Sequence, residues 1–297
     1  MNAEHDFEAM YYEKLEDGTV KCLLCPHFCV LKNGQKGLCR TRKNINGKLV
    51  TLNKNVITAM QMDPIEKKPL YHYKPGSLVL SIGSFGCNFS CGFCQNHSIS
   101  MGDKYESTEI EPAALVKQAL RLDMNMGIAY TYNEPTVFYE LMYETARLAK
   151  MQGLSNILVS NGFINKDPLE AIIPYMDAAN IDLKAFDDRF YEKYVRGDVE
   201  SVMKTIEHLN QSDVHLEITH LLIQGFNDNI KDFKSMVKWI ARMNPEIPLH
   251  ISRYYPAYRF TTCSTPVRLI KYYAQVAREH LKYVYIGNIA YVDINTY

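Results

Sequence analysis

The chain has 297 residues, 47% of them hydrophobic, enough for one large α/β domain or for one domain carrying a small appendage. Its 33 lysines and arginines balance 33 aspartates and glutamates, so no global field recruits nucleic acid or an anionic membrane, and partners must be recognised by shape and local chemistry. No apolar run reaches a membrane span and the acidic start from Met1 to Glu8 lacks the regions of a signal peptide, so a cytoplasmic protein is expected, in which eight cysteines do not form a disulfide framework.

Seven of those cysteines fall into two tight groups that read as metal sites. The first is Cys22-Leu23-Leu24-Cys25-Pro26-His27-Phe28-Cys29, completed by Cys39 after Gly34 and Gly37. Four thiols at this spacing read as a closed tetrahedral site. Structural zinc is the first expectation, because a small loop module with little core of its own supplies every ligand. An auxiliary four-iron cluster is the other reading, since cysteine ligands alone do not separate the metals. His27 is a substitute ligand by position, though it is expected to point elsewhere. Residues 1–75, rich in cysteine, glycine, lysine and proline, form the expected N-terminal module and connector. Within the connector, Pro64 and Pro69 favour an extended course, and the charges between Met62 and Tyr73 either line the approach to the next site or face solvent.

Residues 76–297 read as the core domain. The apolar run 78–82 is a buried strand, and it leads directly into Cys87, Cys91 and Cys94 at spacings x3 and x2. A fourth cysteine would complete an ordinary iron-sulfur ligand set, so three suggest a cluster with one iron open to an exogenous ligand. A three-thiolate zinc site and unligated core cysteines are the alternatives. Further strands are expected at 127–131, 156–160, 179–183, 215–222 and 248–252, with 283–287 as an added strand or edge. A helix opens at Glu134-Pro135 and runs to about Met151, Pro135 suiting its first position. Six such βα units with polar residues at the strand ends predict an α/β fold, a partial TIM-type (β/α)6 barrel with a small N-terminal Cys-rich module, whose chemistry sits at the C-terminal rim. Cys263 stands alone and is expected to be a small buried hydrophobe.

The cluster loop, with Phe93 just before its last cysteine, resembles the signature of the radical S-adenosylmethionine (SAM) superfamily. Together with Cys22-x2-Cys25-Pro26-x2-Cys29, the segment from Asp63 to Tyr71 and His250-Ile251-Ser252-Arg253, the likeness covers nearly the whole chain. It resembles the AmmeMemoRadiSam system radical SAM enzymes, a branch similar to the pyruvate formate-lyase activating enzymes. The resemblance implies a 4Fe-4S cluster on Cys87, Cys91 and Cys94, SAM chelated at the open iron, and an oxidoreductase-type reaction. In that reaction SAM is reductively cleaved to a 5′-deoxyadenosyl radical that takes hydrogen from a small-molecule or protein substrate. It also implies a reductant such as flavodoxin or ferredoxin, and a Memo-like partner.

By the same resemblance Glu134, in Tyr132-Asn133-Glu134-Pro135, accepts from SAM's amino group; a carboxylate serving the helix dipole is its plain alternative. Ser160 and Asn161 resemble the Thr-Asn-Gly segment of the activating enzymes and would bond the ribose or carboxylate, unless Asn161-Gly162 is a simple turn. Lys184, in Asp182-Leu183-Lys184, would lie near SAM's carboxylate, or else be a solvated charge. His250 would lie near the adenosyl group, or else be a satisfied core residue. Asn133 replaces a glycine and Thr219 stands where the activating enzymes carry an arginine, which points to a different substrate anchor. Within the enzyme class, radical modification of a small molecule or a protein side chain is preferred over activation of a glycyl-radical enzyme, because of the added cysteine module. The non-enzymatic alternative is a zinc-binding adaptor.

Overall fold

Runs of valine, isoleucine and leucine, buried on both faces, form a parallel sheet, and amphipathic helices between them cover its outside. The computed structural model describes residues 7–289; residues 1–6 of the acidic start and residues 290–297, which close the expected core domain, lie outside the described residues. An antiparallel hairpin, β1 (Ala59–Pro64) and β2 (Leu78–Gly83), begins the sheet. In parallel follow β3 (Asn125–Tyr130), β4 (Ser155–Ser160), β5 (Ala178–Asp182), β6 (His215–Leu222), β7 (Leu249–Arg253) and β8 (Val284–Gly287). Spatial order equals chain order, and β1 and β8 do not pair, so the barrel stays open. All the strands expected after residue 76 are present.

The helices follow the same logic. In α1 (Ile230–Met243), Phe233, Met236, Val237 and Ile240 fall on one face and are buried against the sheet. Its first turn is capped by Asn229, whose Oδ1 accepts from Lys231 N at 3.0 Å. Pro135 opens a short 3₁₀ turn, Pro135–Phe138, before the α-helix proper, Tyr139–Met151.

The connector does more than cross the surface. β1 precedes the boundary expected at residue 75, and Ile65 and Leu70 after it are fully buried with Val79, Ala129, Ile157 and Ala178. The segment from Ile65 to Ser77 lies across the N-terminal ends of the strands and plugs the barrel floor. Asn180 Nδ2 donates to Pro69 O at 2.8 Å, and Lys74 Nζ to Ser155 Oγ at 2.7 Å. The carboxylate of Glu217 accepts from the backbone N–H groups of Tyr71 and His72 at 3.1 and 2.8 Å.

The N-terminal module consists of two small antiparallel sheets of three strands each. It is pinned to the barrel by Arg42, fully buried and ion-paired with Glu140, which also accepts from Met10 N at 2.8 Å. Thr41 Oγ1 donates to Val137 O at 3.0 Å, and Asn165 Nδ2 to Leu23 O at 2.7 Å. One expectation fails: Cys263 is exposed. In its irregular segment Thr265 takes the buried place, its hydroxyl donating to Leu222 O at 2.5 Å.

Candidate active site

The C-terminal ends of β2 to β7 surround a cavity of about 540 Å³. Cys87, Cys91 and Cys94 all line it, together with Glu134, Ser160, Asn161, Asp182, Lys184, Thr219 and Ser252. The cluster loop is irregular backbone held by side chains from neighbouring strand ends. Asn133 Oδ1 accepts from Ser84 N at 3.0 Å and its Nδ2 donates to Gly86 O at 2.9 Å, so the residue that departs from the expected glycine serves to clamp the loop. Asn161 Nδ2 donates to Asn88 Oδ1 at 2.9 Å, and Asn88 Nδ2 to Phe163 O at 2.7 Å. On the far side Arg259 N donates to Gly92 O at 2.9 Å, and a Cβ on Gly92 would meet the Phe260 ring at 2.8 Å.

Glu134 is buried at the start of the 3₁₀ turn and is the hub of this rim. Its Oε1 accepts from Thr136 N, Thr136 Oγ1 and Ser160 Oγ at 2.9, 2.7 and 2.7 Å, and its Oε2 from Asn161 N at 2.8 Å. Burial raises its pKa, and these hydrogen bonds offset that only in part. Lys184 Nζ lies 3.0 Å from Asp182 Oδ2. Burial works against its charge, but Asp182 and the nearby Cys91 outweigh it, and Lys184 is held well above the ordinary lysine range.

Desolvation pushes the Cys87 and Cys91 thiols up, Cys91 to about 12, and burial raises Cys94 as well. Such thiols become thiolates only if a positive centre joins them. Among the described residues no three His, Cys, Asp or Glu side chains are gathered round one point as a single ion would require. A four-iron cluster makes a different demand, each thiolate meeting its own iron. Three free thiols on one loop, one buried and two half-buried, facing a cavity that also holds a charged lysine, fit that group.

His250 is not brought to the cavity. It sits one layer lower, where its ring nitrogen Nε2 lies 2.6 Å from Glu217 Oε2 and its ring stacks with Tyr285 at 5.4 Å. Ser252, two residues on, is the strand's contribution to the rim. His27 turns away from the neighbouring thiols, its Nε2 lying 2.7 Å from Asn88 O.

A further part of the cavity lining comes from the connector and was only half visible in sequence. Asp63 and Lys68 are both buried and paired at 2.8 Å, Lys67 reaches Asp63 at 3.0 Å, and Tyr132 Oη donates to Asp63 Oδ2 at 2.7 Å. Burial opposes the Asp63 charge, but hydrogen bonds from Lys68, Tyr132 and Lys67 hold it well below the usual carboxylate range. Tyr132 adopts a positive φ of 68°, rare for a bulky residue, and Asn96 Nδ2 donates to its carbonyl at 2.5 Å. Nothing in the local pattern marks Tyr132, since its role depends on a strand sixty-nine positions earlier.

Residues 81–240 match the sequence profile described as the Radical SAM superfamily. The chain is 40% identical over 296 residues to an uncharacterized protein of Methanocaldococcus jannaschii, covering 98% of this chain and 88% of that one. It is 23% identical to the pyruvate formate-lyase 1-activating enzyme of Escherichia coli over 48% of this chain and 61% of the relative. Among solved structures, SuiB of Streptococcus suis bound to S-adenosylmethionine superposes with a TM-score of 0.57 at 12% identity, over 74% of this chain and 53% of that chain. That likeness is one of fold.

Proposed function

The chain belongs to the radical SAM superfamily, and from that membership we propose that Cys87, Cys91 and Cys94 hold the 4Fe-4S cluster and that Lys184, Glu134, Ser160 and Asn161 shape the seat of SAM beside it. When bound, cluster and SAM together supply reductive cleavage of the sulfonium and a 5′-deoxyadenosyl radical. The protein's share is binding, orientation and the exclusion of water and side reactions. Lys184, raised in pKa and walled into the rim, offers a fixed cation for a carboxylate. Glu134 offers Oε2, which has one donor where Oε1 has three, and so keeps room for an ammonium proton. Ser160 and Asn161 set the pose of that carboxylate and of the cluster loop. His250 acts below them, as a partner of Glu217.

The carrying observation is that three free thiols, Cys91 buried and Cys87 and Cys94 partly so, share one cavity with Lys184 and Glu134. Oxygen-free reconstitution, followed by dithionite and SAM, should yield a brown protein that forms 5′-deoxyadenosine and methionine. A colourless protein forming neither would sink the reading and favour a zinc adaptor. Lys184→Ala should lower SAM affinity about tenfold or more while cluster iron stays unchanged, the scale of one charge-assisted contact; equal affinity would remove Lys184 from the seat.

For the finer branch we propose an AmmeMemoRadiSam system enzyme acting on a small molecule or a protein side chain, with a low-potential donor such as flavodoxin or ferredoxin. The added cysteine module supports this over a glycyl-radical activase. A Memo-like partner belongs to the same proposal, and co-purification of the two chains tests it. Among the described residues no helix is long and apolar enough to cross a membrane, and eight free cysteines suit the reducing cytoplasm in which we place the reaction.

A further inference from the structure

Four thiols have no part in that chemistry. Cys22, Cys25, Cys29 and Cys39 are all free, and Cys22 N donates to Cys29 O at 2.9 Å, which folds the first loop back on itself. A Cβ on Gly37 would stand 3.7 Å from Cys39 Sγ and 3.8 Å from Cys29 Sγ, so those two sulfurs flank one glycine. Only Cys22 lies on a strand, and the strands flanking these segments are two to four residues long, too short to hold them in place by a core alone.

One further observation points to a ligand. Arg42, 1% exposed, brings Nη1 within 4.0 Å of Cys22 Sγ, and its Nε has no acceptor on the protein. A buried guanidinium with a spare N–H beside neutral thiols is costly, whereas beside metal-bound thiolates, which carry net negative charge, it is compensated.

The group also touches the active site. His27, midway between Cys25 and Cys29, meets Asn88 O at 2.7 Å. A Cβ on Gly86 would stand 2.5 Å from both Cys39 O and Thr41 Cγ2. Both neighbours of Cys87 therefore rest on the N-terminal thiol loops.

The four thiols, like the three of the cluster loop, are not gathered round one point as the expected zinc ion would require, and we propose that Cys22, Cys25, Cys29 and Cys39 bind a second iron-sulfur cluster, each thiolate meeting its own iron, and that this centre fixes the wall against which residues 86–88 of the cluster loop rest. The location of the second centre is independent of radical chemistry; its bracing role rests on the function proposed above.

The test is metal analysis of the full chain, purified without oxygen, as wild type, as the triple variant Cys87→Ala/Cys91→Ala/Cys94→Ala, and as Cys39→Ser. The triple variant has no radical site, so any metal it retains speaks for the second centre alone. It should keep about four irons with matching sulfide per chain. A folded triple variant that keeps no iron, or one zinc in its place, overturns the proposal. Should that variant fail to fold, Cys39→Ser decides: loss of the same increment from the wild-type total supports the centre, and an equal total refutes it. For the bracing role, His27→Ala should keep wild-type metal content yet alter the paramagnetic spectrum of the reduced cluster, and an unchanged spectrum would overturn that half.

Discussion

Glu134 shows how one buried carboxylate can organise a rim. Four donors from three residues converge on it, so removal of the side chain leaves several buried N–H and O–H groups without partners, each costing on the order of 1–3 kcal/mol before relaxation. Glu134→Ala should therefore destabilise the fold by about 3 kcal/mol in urea denaturation, whereas Glu134→Gln, which keeps the shape, should cost less in stability and act mainly on SAM affinity. Equal losses in both measurements for the two variants would show that the charge has no role of its own. Gly86 is the second residue whose identity is forced. With φ at 82° and the Cys39 carbonyl oxygen 2.5 Å from an added Cβ, Gly86→Ala should displace the cluster loop and lower cluster iron by more than half on reconstitution.

Among the elements, the floor segment depends on Glu217. Burial would raise its pKa, but hydrogen bonds from His215, His250 and the His72 and Tyr71 backbone bring it down to about 2. Because the folded-state value lies below the ordinary 4.5, this group's stabilisation is whole above pH 4.5 and drains away as pH falls toward 2. The difference corresponds to about 3 kcal/mol, so Glu217→Gln should flatten the acid limb of stability between those pH values. An acid limb identical to wild type would disprove the linkage. In the sheet, a Cβ on Gly127 would stand 2.0 Å from Ser155 O on the adjacent strand. Gly127→Ala must push β3 and β4 apart and should cost about 2 kcal/mol or more, read from the denaturation midpoint. The strands themselves were legible in sequence because apolar runs of fixed length between helical patterns have few other solutions. β1 was not, since Ala59–Pro64 alternates weakly, ends in proline and is mostly half-exposed or exposed; only its partner Leu78–Gly83 makes it a strand. The same cause hid Asp63, Lys68 and Tyr132, whose meaning lies in contacts between segments far apart in the chain.

At the level of the whole molecule, the cysteine spacings and strand ends were enough to locate the cavity, because a barrel sends every strand's last residues to one rim. His250 was misplaced by one layer, since alternation along a strand fixes the face of a residue but not its depth. Cys91→Ala should leave the far-ultraviolet circular dichroism and melting of the barrel close to wild type while abolishing 5′-deoxyadenosine formation; retention of product would move the chemistry elsewhere. Spatial order equal to chain order has a bearing on how the enzyme is made. The three thiols leave the ribosome just after the second strand, well before Asp182 and Lys184, which later help enclose them from the end of the fifth. Until that strand docks, the nascent thiols lie open to solvent, so the cavity that encloses them is completed only late in synthesis.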